Sequence, residues 1–150
     1  MPVRDPSDCP YYLISRACLA VTARLKQDLA ASGVPRVRPS YLGVLLALWR
    51  EDRLKAVEVG RRAGLEPSTM TSLLDRMEAD GLLVRTADPD DRRVQRIELT
   101  AEGRRARGPV LSVVDRALER ILAGVEEKDL AVMKDTLRRV LANADKGSAG

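Results

Sequence analysis

Histidine is absent from this sequence, and cysteine occurs only at Cys9 and Cys18. Without histidine, no histidine-dependent catalytic triad can be built and most zinc sites are excluded. Two cysteines are too few for the disulfide framework of a small secreted fold. No run reaches the roughly eighteen apolar residues that would suggest a membrane span. The opening residues, Met1-Pro2-Val3-Arg4-Asp5, lack the apolar core of a signal peptide. These gaps lead to the expectation of a cytoplasmic protein that is not an enzyme, with no catalytic residues, cofactor or metal. What is present is 150 residues, 45% hydrophobic and 32% charged, the composition of one ordinary globular domain. The net charge of +4 is compatible with a nucleic-acid partner but weak evidence for one.

Apolar periodicity predicts a mostly helical chain. A first helix starts at Pro10, carries Ile14, Cys18, Val21, Leu25 and Leu29 on one stripe, and is stopped near Ser32 by Gly33 and Pro35. A second runs from about Ser40 to Trp49, with Leu42, Leu45, Leu46 and Trp49 expected inside. Val57 to Ala63 then reads as a short helix ended by Gly64. Glu66-Pro67-Ser68 opens another, with Met70, Leu73, Leu74 and Met77 as its apolar stripe and Gly81 as its cap. Two short helices across a tight glycine-containing turn form a helix-turn-helix. At Leu82 the pattern changes. Leu82–Thr86 and Val94–Leu99 are strand-like, and Asp88-Pro89-Asp90-Asp91 between them is turn-forming. The expected fold is therefore all-α with a small β-wing, a winged helix-turn-helix flanked by terminal helices.

Thr100 is placed to cap the next helix, whose apolar face is read as Leu111, Val114, Leu118, Ile121, Leu122 and Val125, with a kink at Gly108-Pro109. A last helix begins near Glu126 and uses Leu130, Met133, Leu137, Val140 and Leu141. The resulting division gives a helical dimerisation region at 10–52 and 100–143, a DNA-binding region at 53–99 and a flexible tail at 144–150. Broad apolar faces on the terminal helices exceed what one small domain needs to cover, unless core packing within one subunit absorbs them.

With the stripe of the second helix-turn-helix element turned inward, Ser68, Thr69, Thr71, Ser72, Asp75 and Arg76 are left outside. Short hydroxyl side chains allow close approach to DNA, and Arg76 has the fork geometry for guanine O6 and N7. A solvated helix face would look similar. The wing is more specific. Asp91-Arg92-Arg93 lies at the hairpin tip with Arg85 and Arg96 on its strands, suited to the negative potential of a minor groove. A carboxylate two residues from Arg93 is expected to hold that side chain in one rotamer. A charged type I turn explains Asp88-Pro89 but leaves the arginines unexplained.

The stretch Leu65 to Gly103 resembles the MarR family of bacterial regulators. The similarity lies in Ser68-Thr69-Met70-Thr71-Ser72-Leu73-Leu74-Asp75-Arg76-Met77-Glu78, Gly81-Leu82-Leu83-Val84-Arg85, Asp88-Pro89-Asp90-Asp91-Arg92-Arg93 and Leu99-Thr100-Ala101-Glu102-Gly103, in that order and spacing. The resemblance implies a homodimer held by the N- and C-terminal helices, and a recognition helix carrying Ser68 to Arg76. It implies a wing in which Asp91 orients Arg93 into the minor groove, and the two-fold symmetry of such a dimer predicts a pseudo-palindromic duplex operator. It also implies repression relieved by a small ligand or by cysteine oxidation. The rival from another class is a winged-helix protein-interaction adaptor that does not bind DNA. The place of the oxidant-sensing cysteine of such families reads Leu13, and the places of its supporting tyrosines read Gln27 and Arg38. Cys18 falls on the apolar stripe as a small core residue. Cys9, at a helix N-terminus that favours a thiolate, is the better candidate for a redox-responsive regulator. A small aromatic or anionic ligand is expected near Tyr12, Arg16, Tyr41 and Trp49, with core packing the stronger reading for Tyr41 and Trp49.

Overall fold

The computed structural model describes residues 5–34 and 36–147; Pro35 and the last three residues of the expected tail lie outside them. In chain order the elements are α1 (Pro10–Ala31), a 3-10 turn (Pro39–Tyr41), α2 (Leu42–Arg50), β1 (Leu54–Lys55), α3 (Ala56–Ala63), α4 (Pro67–Ala79), β2 (Leu83–Ala87), β3 (Gln95–Leu99), α5 (Ala101–Arg105), α6 (Arg107–Ile121) and α7 (Glu127–Gly147). The chain forms two compact units, divided between Leu118 and Glu119. Among the described residues no helix is long and apolar enough to cross a membrane.

The first unit is organised around one core. Leu29, Val37, Tyr41, Val44, Leu45, Leu48, Val59, Leu73, Met77, Leu82, Leu83, Ile97 and Val110 meet there, all nearly inaccessible. The α4 stripe Met70, Leu73, Leu74 and Met77 is buried as its spacing predicts. Gly64 and Gly81 take left-handed conformations (φ 66° and 76°) that close α3 and α4. At Gly81 the Leu82 N–H donates to Met77 O and turns the chain directly into the wing. The sheet has the order β1-β3-β2. Antiparallel pairing of Leu83 with Leu99 through Ala87 with Gln95 forms the hairpin. β1 adds a third strand, pairing Leu54 with Ile97; at two residues it is too short to show a period in the sequence.

Several expected faces shift. Leu46 is 52% exposed rather than buried. The 3-10 turn anchors Tyr41 inward and sets the phase, so Val44, Leu45 and Leu48 follow on the same side. The buried face of α6 is Val110, Val113 and Ala117, one residue out of register with the expected Leu111, Val114 and Leu118. Ala106, buried at the break between α5 and α6, fixes that phase. The break itself falls at Ala106, upstream of Pro109, which sits in the first turn of α6 where a missing N–H costs little. The Thr100 cap forms as expected: its hydroxyl accepts from the Gly103 N–H (3.0 Å) and donates to Gly81 O (2.6 Å). Gly103 is required there, because a Cβ would run into the Leu82 backbone carbonyl.

On α1 only Leu25 and Leu29 are buried. The front of the stripe is open, with Ile14 at 46% exposure and Cys18 exposed, so Cys18 is not a core residue of this chain. Tyr11, Tyr12, Leu13 and Leu19 are also exposed there. In the second unit, α7 exposes Val132, Met133, Leu137, Val140 and Leu141. Its helix runs on through residues 144–147, the described part of the expected tail. Ala142 and Ala144 are strong helix formers, and no breaker intervenes before Gly147.

Candidate nucleic-acid interface

The geometry of α4 separates its two faces cleanly. While its stripe enters the core, Ser68, Thr69, Thr71, Ser72, Asp75 and Arg76 are all exposed. Thr71 and Ser72 donate their hydroxyls to the helix's own carbonyls, at Pro67 O and Thr69 O (both 3.1 Å), leaving lone pairs free to accept from base amino groups. Arg76 turns back along the helix, its Nε 3.4 Å from Ser72 O.

The wing is tied to α4 by Arg85. From β2 its guanidinium reaches Asp75 Oδ1 and Glu78 Oε2, both at 2.6 Å, and its backbone N–H donates to Glu78 Oε1. With its side chain only 17% exposed, Arg85 is occupied as a strut between hairpin and helix, an arrangement its strand position alone does not suggest.

At the tip, Asp91 does hold Arg93, but through the backbone: its Oδ1 accepts from the Arg93 N–H at 3.0 Å. The expected side-chain restraint is thus a fixed turn conformation, the usual behaviour of an aspartate two residues upstream. Arg92 and Arg93 are both exposed. Among the described residues neither guanidinium meets a carboxylate.

Asp88 organises this tip, although its sequence context suggests no more than a turn. It is 4% exposed. Its carboxylate accepts from the Asp90 and Asp91 N–H groups and from Arg96 Nε at 2.6 Å. The Asp90 N–H above all, with Arg96 and the Asp91 N–H, holds the carboxyl below its ordinary value against the opposing effect of burial. Arg96 also donates to Arg53 O, which joins the hairpin to the segment before β1. Asp52 does the same from the other side, accepting from the Leu99 N–H and from Arg104. A buried carboxylate with converging N–H donors is a long-range arrangement that spacing does not announce.

The four residues expected to line a ligand pocket separate. Tyr41 is fully buried, its hydroxyl donating to Asp80 Oδ2 at 2.6 Å. Burial most of all, and then that hydrogen bond, push its phenol upward. Trp49 packs against the core and donates to Gly103 O at 2.9 Å. Tyr12 and Arg16 lie on the exposed part of α1. Cys9 is the N-cap residue of α1 and is half-buried.

The family model of the MarR family matches residues 39–94, from the 3-10 turn to the wing tip. The HTH-type transcriptional regulator TtmR of Methylorubrum extorquens is 40% identical over 107 residues, covering 67% of this chain and 54% of that protein. The chain spans about half the length of the first curated relatives it matches, 54% and 50%. Among solved structures, the PcaV transcriptional regulator from Streptomyces coelicolor, in complex with its natural ligand, superposes with a TM-score of 0.83. It is 29% identical, with 96% of this chain and 99% of that one covered. CouR from Rhodococcus jostii, bound to p-coumaroyl-CoA, gives a TM-score of 0.78 at 30% identity over 91% and 94% of the two chains. An exposed hydroxyl-rich helix, an arginine-tipped hairpin braced against it and these likenesses converge: the chain belongs to the MarR family of winged-helix transcriptional regulators.

Proposed function

We propose that the protein is a ligand-responsive repressor that binds a pseudo-palindromic DNA operator as a homodimer. The observation that carries this reading is the pairing of the uncovered α4 face with an arginine tip whose two guanidinium groups meet no carboxylate among the described residues. Ser68, Thr69, Thr71 and Ser72 enter the major groove and Arg76 flanks them. Arg92 and Arg93 enter the adjacent minor groove, where negative potential takes the place of a carboxylate partner. Asp91 contributes by fixing the turn, and Arg85 by fixing the angle between wing and helix.

The homodimer reading rests on two exposed apolar faces. One is Tyr11, Leu13, Ile14 and Leu19 of α1, the other Val132, Met133, Leu137, Val140 and Leu141 of α7. Several large apolar side chains exposed on one helix point to an interaction site, and a second copy is the occupant proposed for both. Responsiveness to a small molecule is supported by PcaV and CouR, each solved with a ligand. An aromatic or anionic effector fits Tyr12 and Arg16, which remain exposed.

Selection of binding sites from random duplexes tests the reading. Enrichment of an inverted repeat is expected; recovery of no sequence preference from a dimeric, folded protein contradicts it.

A further inference from the structure

We propose that a cavity between α1, the 3-10 turn and α4 grips the DNA backbone, taking a phosphate beside the major groove that α4 enters. The cavity, ≈ 470 Å³, is lined by Thr22, Lys26, Arg38, Ser40 and Arg76 over a floor that includes Val37. The proposal rests on the DNA-binding reading and extends it to α1 and the 3-10 turn, which the sequence assigns to dimerisation and the ligand pocket.

The cavity gathers uncompensated positive charge. Several arginines around the winged helix face carboxylates: Arg61 and Arg62 meet Glu58, Arg85 meets Asp75 and Glu78, Arg96 meets Asp88, and Arg104 meets Asp52. Lys26, Arg38 and Arg76 converge on one concavity, and among the described residues none of them is paired with a carboxylate. Asp80, four residues beyond Arg76, accepts from the Tyr41 hydroxyl and does not line the cavity. Three like charges around one cavity repel one another, and an anion placed among them reverses the sign of that energy. Thr22 and Ser40 add hydroxyl donors at the wall, a set of groups suited to phosphate oxygens. Arg38 lies over the buried Tyr41 ring, its guanidinium 5.9 Å from the ring centroid, at the outer reach of a cation–π contact. Because Arg76 belongs both to this cavity and to the exposed face of α4, a phosphate bound here belongs to the strand flanking the bases that the helix meets. Arg76 then meets a phosphate rather than the guanine its position suggests.

The test uses the full chain and its selected operator, with phosphates replaced one at a time by neutral methylphosphonates. Wild type should lose affinity at one or two discrete positions in each half-site. In Lys26→Gln/Arg38→Gln, those same positions should become insensitive to the replacement. The slope of log K against log salt should fall by about 1 for each phosphate that a subunit no longer engages. Operator and random DNA should weaken by the same factor, since the backbone carries no sequence. Arg38→Lys should restore most of the slope, and unchanged thermal unfolding of these surface variants excludes a folding defect. An identical methylphosphonate profile in wild type and double variant overturns the proposal. So does calorimetric binding of inorganic phosphate or benzoate that the double variant loses while its DNA binding stays intact, because the cavity then serves a free anion. If wild type binds no duplex at all, both this proposal and the regulator reading fail.

Discussion

Arg93 and Asp88 divide the wing tip between an exposed cation and a buried support. Arg93 is exposed, and its backbone N–H is held by Asp91. Arg93→Ala should therefore weaken operator binding while leaving dimerisation and thermal unfolding within about 0.5 kcal/mol of wild type; unaltered affinity in a titration would remove the wing from the interface. Asp88 is buried and accepts three hydrogen bonds. Asp88→Asn keeps an oxygen for the two backbone N–H groups but sets an amide donor against the Arg96 donor, so the tip should loosen and DNA affinity drop without any group that meets DNA being removed. The same carboxylate predicts a pH dependence. Its folded value lies below the ordinary 3.8, so its contribution to stability is complete above about pH 4 and disappears as pH falls through the lower folded value. Thermal unfolding followed downward from pH 5 should show a steeper loss for wild type than for Asp88→Asn, and equal slopes would contradict the role given to Asp88. Gly103 belongs at this scale too. A methyl group there meets the Leu82 carbonyl, so Gly103→Ala should cost about 1–3 kcal/mol by overpacking, read in chemical denaturation.

Among the elements, α4 and the hairpin are legible in the sequence because period and punctuation agree. The stripe Met70, Leu73, Leu74 and Met77 sets the buried face, and Gly81 turns the chain where the period changes. Less is legible where tertiary context decides. The phase of α2 depends on a 3-10 turn that anchors Tyr41, and the phase of α6 on Ala106 at a helix break. Neither is a property of the helix's own spacing. The exposed face of α4 follows by subtraction from its buried one. By contrast, Arg85 looks like any other wing arginine until its strand is placed beside Asp75 and Glu78. That strut makes its own prediction. Arg85→Ala should cost no more than about 1 kcal/mol of stability, since its carboxylate partners are partly exposed. Hydrogen exchange should nevertheless quicken in β2 and β3, and DNA affinity should fall as the wing loses its fixed angle to the helix. Unchanged exchange in the hairpin would show that the strands hold that angle without Arg85.

The whole molecule combines two uncovered apolar faces with two sets of cations that meet no carboxylate among the described residues. The first set is at the wing tip, the second in the cavity beside α4, and the proposed partner of both is the phosphate backbone. If a second copy covers the faces of α1 and α7, a two-fold axis relates the recognition helices, and each reads the same bases on opposite strands. Half-site centres should then lie roughly 10 bp, one helical turn, apart. The measurement that tests this most directly is a gel-shift titration comparing the selected operator with one carrying about 5 bp inserted between its half-sites. The insertion turns one half-site to the far side of the duplex, so affinity should fall towards the level of random DNA. Equal affinity for the two operators would contradict a rigid symmetric pair reading DNA through α4 and the wing.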